Sequence, residues 1–102
     1  MKVKAKLKNG VVKVKMMAKH AMTTYNQAEK KTGNRDDANF ITHLSGTVNG
    51  KTVIDISTSQ FLSKNPIFKF EFKGDEFKSG DELIMTWTDR KGKSETEKVK
   101  IK

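Results

Sequence analysis

The sequence predicts an all-β domain, an immunoglobulin-like antiparallel β-sandwich of about seven strands. Three observations predict it. Apolar residues recur at every second position through seven short segments, the spacing of a strand with one buried face. Asn9-Gly10 and Asn49-Gly50 each stand between two such segments, and Asn-Gly is the strongest short hairpin signal. Phe68, Phe70 and Phe72 alternate with Lys69 and Glu71 just after Pro66, the only proline. A residue without a backbone N–H suits the first position of a strand. At 102 residues the chain has the length of one such domain, so 1–102 is taken as a single unit.

The elements follow in order. Segment 2–7 turns Val3, Ala5 and Leu7 one way and its lysines the other. Segment 11–19 does the same with Val12, Val14 and Met16. Residues 20–37 are rich in Asn, Thr, Lys and Asp and are expected to form a long loop, with room for a short helical turn at 23–31. Segment 38–48 points Phe40, Thr42, Leu44 and Val48 to one face. Segment 51–57 is short and half polar, and 58–65 is a connection carrying Phe61 and Leu62. The phenylalanine strand spans 66–73, with three rings directed at the core. Gly74 to Asp81 is a turn region, and 82–88 places Leu83, Met85 and Trp87 on one face. Asp89-Arg90-Lys91-Gly92 closes a hairpin into 94–101, with Val99 and Ile101. Trp87 is the candidate centre of the core.

The net charge is +9, and 19 of the 21 basic residues are Lys. Lysines at alternate strand positions serve as a solvated sheet face that resists edge-to-edge aggregation. The same lysines would also suit an acidic partner. Arg forks dominate base-specific readout, and only Arg35 and Arg90 are present. The aromatics share a face with the apolar residues, whereas a stacking platform for single strands needs them beside the lysines. Nucleic acid is therefore not the expected partner, although a basic nucleic-acid-binding β-domain stays an alternative. No apolar run reaches membrane-span length, and Met1-Lys2-Val3-Lys4 has no secretory apolar region.

Chemistry is sparsely provided for. There is no cysteine, which removes disulfides, thiolate metal sites and thiol nucleophiles. His20 and His43 are the only histidines, too few for a zinc site without other ligands, so no metal and no cofactor are expected. His43 is out of phase with Leu44 and faces solvent or the rim. The acidic pairs Asp36-Asp37, Asp75-Glu76 and Asp81-Glu82 sit in turns and serve the turns. No nucleophile elbow or glycine-rich phosphate loop occurs. The residues thus describe a non-enzymatic binding sandwich.

Four landmarks occur in order: His20-Ala21-Met22-Thr23-Thr24; Asn49-Gly50 before Val53; Ser63-Lys64-Asn65-Pro66 running into Phe68-Lys69-Phe70; and Trp87-Thr88-Asp89-Arg90-Lys91-Gly92. Together they resemble the SoxZ family, over nearly the whole chain. The family pattern has proline where Ala21 stands, glutamate at Thr23 and glycine at Tyr25, so the departures fall in the 20–37 loop. The resemblance implies an immunoglobulin-like sandwich that pairs with a SoxY-type subunit. That partner carries sulfur intermediates on a cysteine of its C-terminal arm while other Sox enzymes act on them in transient contacts. It further implies a periplasmic location reached by export with the signal-bearing partner. The expected partner-binding residues are His20, Met22, Thr23, Asn65, Pro66 and Phe68. Whether the isolated chain forms a homodimer through the vacated surface is left open by the sequence; an apolar patch without its partner would allow it. A stand-alone adhesion or ligand-binding sandwich is the alternative of a different class.

Overall fold

The computed structural model describes residues 1–58 and 64–102, so Phe61, Leu62 and Ser63 lie outside the described residues. Two antiparallel sheets form the domain. One contains three strands in the order β1-β2-β5: β1 Lys2–Lys8, β2 Val11–Met17 and β5 Ile67–Lys73. The other contains four in the order β4-β3-β6-β7: β4 Lys51–Ser57, β3 Ile41–Val48, β6 Glu82–Asp89 and β7 Ser94–Lys100. The chain changes sheet after β2, β4 and β5, as in an immunoglobulin-like sandwich.

Register follows from the alternation. In the three-stranded sheet, Val3–Met16–Phe68, Ala5–Val14–Phe70 and Leu7–Val12–Phe72 lie directly across from one another on the inner face. Opposite them, the four-stranded sheet supplies Leu44, Val48, Leu83, Met85 and Trp87, all essentially fully buried. Trp87 is the largest buried side chain, but it stands on the sixth strand rather than on the third, where antibody domains keep theirs. Both Asn-Gly hairpins have positive φ at both turn residues, as a type I′ turn requires.

Four expectations are corrected. The 20–37 segment is not a loop throughout; it holds a helix, α1 Tyr25–Thr32, and a 3-10 turn at Arg35–Asp37. Thr24 caps α1 in a capping box with Gln27, and Gly33 ends it at φ 77°. The second strand ends at Met17 and the fifth begins at Ile67, because Ala18 and Pro66 already leave their strands for the corner described below. In the third strand the register shifts between Ile41 and His43, so Ile41 is buried and Thr42 is only half-buried. Finally, Phe68, Phe70 and Phe72 are half-buried rather than enclosed. β5 is an edge strand, so each ring has core on one side only. Phe70 and Phe72 stack at 6.4 Å, and Phe72 meets Phe77 edge-on at 5.7 Å.

Candidate functional site

Three segments far apart in sequence meet at one corner of the sandwich. Beyond β2, the Ala18 N–H donates to the Pro66 carbonyl (3.0 Å). The His20 N–H donates to Asn65 Oδ1 (3.0 Å), and the Asn65 N–H donates back to the His20 carbonyl (2.8 Å). Asn65 holds this reciprocal clamp at φ 50°, a left-handed conformation that Asn tolerates better than most residues. Pro66 is buried behind it and immediately precedes β5.

The His20 side chain points inward, with 7 % of its surface exposed. Its Nδ1 accepts the Met22 N–H (3.0 Å), which assigns the ring proton to Nε2, and Nε2 donates to Asp89 Oδ2 (3.0 Å). The ring meets Trp87 edge-on at 5.2 Å. The Asp89 side chain, 1 % exposed, also accepts from Asn39 Nδ2 (3.0 Å) and, through Oδ1, from the Lys91 and Lys93 N–H groups (3.1 and 2.9 Å). Burial alone would raise the Asp89 carboxyl. The hydrogen bonds from His20, Asn39 and Lys93, with the charge of His20 when protonated, hold it below its ordinary value.

Met22 completes the inner layer. It is buried and adopts φ 51°, a strained conformation for a bulky side chain, and its sulfur accepts the Ile41 N–H (3.3 Å). Thr23 and Asn39 exchange two backbone hydrogen bonds (2.7 and 3.0 Å), an isolated bridge that ties the loop to the entry of β3. Arg90 fastens the helical segment from above. Its guanidinium donates to the Asp36 and Ala38 carbonyls (3.0 and 2.9 Å) and to the Tyr25 hydroxyl (3.1 Å). Arg35 and Arg90 lie 5.5 and 5.2 Å from the Tyr25 ring centre, so both arginines of the chain serve this corner.

The structure therefore brings His20, Met22, Thr23, Asn65 and Pro66 together, with Phe68 two residues further along β5. The His20 and Met22 side chains lie beneath the surface, whereas Asn65 and the neighbouring Ile67 are exposed. Asn39, Asp89 and Arg90 belong to the same assembly and were not among the expected site residues. The near-absence of arginine was a usable signal for Arg90; nothing in the local pattern marks Asp89 as buried, since hairpin aspartates are ordinarily wet. His43 is half-exposed, as expected, and pairs with Asp55.

The His20–Asp89 pair does not form a catalytic dyad. The imidazole nitrogen that would activate a hydroxyl is already occupied by the Met22 N–H, and the ring is enclosed. Among the described residues no three His, Asp or Glu side chains gather as a metal site. Among them, too, no helix is long and apolar enough to cross a membrane. What the geometry accomplishes is a tie between the chain beyond β2, the entry of β5 and the end of β6.

Comparison with known families decides the assignment. The family model described as "Sulphur oxidation protein SoxZ" matches residues 1–100. The chain belongs to the SoxZ family. It is thereby a component of the Sox sulfur-oxidation system, in which SoxZ members are non-catalytic and act with a partner subunit. A search of curated proteins returned no match. The residues that carried the resemblance to SoxZ are in large part those that build the corner: His20 and Met22, Asn65 and Pro66, Trp87 and Asp89.

Proposed function

We propose that this SoxZ chain is the non-catalytic scaffold subunit of a sulfur-carrier heterodimer. Its constant partner is a SoxY-type subunit whose C-terminal cysteine carries sulfur intermediates during thiosulfate or sulfur oxidation. Family membership across residues 1–100 is the observation that carries the reading. The absence of cysteine supports it, because the chain itself has no thiol on which sulfur could ride. The proposed contact surface is the rim of the corner, Thr23, Asn65 and Phe68 with the exposed Ile67. Under it, His20, Met22 and Pro66 act by holding the rim in shape. The heterodimer works in the periplasm in this reading, exported by its signal-bearing partner, and meets the other Sox enzymes transiently.

Co-expression with a SoxY-type subunit tests it. The expected result is a one-to-one complex on size exclusion, weakened at least about tenfold by Ile67→Glu, since a charge buried at an interface without a partner is costly. A chain that stays alone beside a folded SoxY-type subunit would sink the reading. Fractionation of cells carrying both subunits tests the location: chain retained in the cytoplasm contradicts it.

A further inference from the structure

The outer face of the three-stranded sheet breaks a rule of sheet design. Strand register places Lys4, Lys15 and Lys69 directly across from one another, and Lys6, Lys13 and Glu71 in the next row. Lys8, Val11 and Lys73 close one end of the face, and Lys2, Met17 and Ile67 the other. The face thus holds eight lysines and one glutamate, seven of the chain's nine net positive charges. Like charges directly across a strand pair repel. Glu71 pairs with Lys13 at 4.0 Å, and no other ion pair forms on this face among the described residues. The five undescribed residues, Ser59 to Ser63, bring no carboxylate in their sequence.

Protection against aggregation accounts for the lysines on the edge strands β1 and β5, but not for Lys13 and Lys15, because β2 lies in the middle of the sheet. Solubility is served by mixed signs. The other sheet shows the ordinary solution: its outer rows Ser57–His43–Thr88–Ser94, Asp55–Ser45–Thr86–Thr96 and Thr52–Thr47–Ile84–Lys98 carry few charges, and at its end Glu82 stands across from Lys100. A groove of about 700 Å³ borders this face; lysines of β1, β2, β5 and β7 line it together with Val3, Ala5, Val14 and Phe70 of the inner rows.

We propose that this face docks an extended, acidic segment of a protein partner. Lysines two apart on one strand are about 6.7 Å apart, which is also the spacing of alternate side chains in an extended peptide. Carboxylates at every second position therefore match the rows. Three features favour polypeptide over nucleic acid. The face has no arginine, both arginines being held at the corner. Its aromatics are turned to the opposite side of the sheet, Phe68, Phe70 and Phe72 standing in the inner rows. Its far row ends in exposed apolar side chains, Met17 at 36 % and Ile67 at 55 %, which suit a hydrophobic residue flanking the acids. The inference does not require the heterodimer reading; the rim and this face meet only at Ile67.

The test uses the full chain and a 12-residue peptide with glutamate at alternate positions, by titration calorimetry at low and physiological salt. Binding should weaken with salt, and the triple variant Lys4→Glu, Lys15→Glu, Lys69→Glu should lose at least about tenfold in affinity. A variant with the same charge change elsewhere, Lys30→Glu, Lys78→Glu, Lys98→Glu, should lose no more than about twofold. Circular dichroism confirms that both variants fold. Equal losses in the two variants would show that net charge alone attracts the peptide and would overturn the proposal. So would tighter binding of an oligothymidylate of equal charge, which would make the face a nucleic-acid surface, and so would absence of peptide binding at low salt.

Discussion

The corner and the lysine face spend charge in opposite ways. At the corner, Arg90 donates to two backbone carbonyls and the Tyr25 hydroxyl, Arg35 pairs with Glu29, and the buried Asp89 accepts four hydrogen bonds, one of them from the buried His20 ring. On the face, Lys4, Lys15 and Lys69 stand side by side without a carboxylate in their row. A buried polar group must be paired or it destabilises the fold. An exposed lysine has no such requirement, because water solvates it. The difference teaches where charge builds structure and where it is free to recognise something else.

The largest expected effect breaks the corner. Asp89→Ala leaves His20, Asn39 and two backbone N–H groups without their acceptor, and should lower stability by about 3 kcal/mol in urea titration. A loss under about 1 kcal/mol would mean that the network holds little. Next, His20→Ala removes the link between Asp89 and Met22, with an expected loss of about 2 kcal/mol. Acid should act on the same network. Because the Asp89 carboxyl titrates lower folded than unfolded, its contribution is full above about pH 4 and fades as pH falls through the folded value. The stability gap between the protein and Asp89→Asn should therefore close on acidification, and a gap that widens contradicts the assignment.

Weaker effects sharpen the other half. Thr24→Ala removes the cap of α1 and should cost about 1 kcal/mol, read as a lowered melting temperature. On the face the sign reverses. Lys15→Glu replaces two cross-strand repulsions, with Lys4 and Lys69, by attractions, and should leave stability unchanged or raise it by about 0.5 kcal/mol at low salt. A clear loss there would erase the contrast between the two regions.

Most of the fold was legible because strand alternation is a local property. Val12, Val14 and Met16, or Leu83, Met85 and Trp87, announce a buried face without reference to any partner strand. The helix was anticipated only as room for a short turn at 23–31, although its signals were present: Thr24 and Gln27 form the capping box and Gly33 the stop. A polar eight-residue helix that buries Ala28 alone among its side chains offers no apolar period to read. The site was half legible. His20, Met22, Asn65 and Pro66 stood out as a pattern, but the pattern did not tell which side chains face inward.

The sequence by itself determined the class of fold, the hairpins at Asn9-Gly10 and Asn49-Gly50, the excess of lysine and the family frame of its landmarks. All of these rest on near-neighbour spacing and backbone preference. Only the tertiary structure decided that Asp89 is a buried hub, that His20 and Asn65 clamp each other, and that lysines from β1, β2 and β5 fall into common rows. Each depends on contacts between residues far apart in the chain, and those are set by which strands pair and in what register.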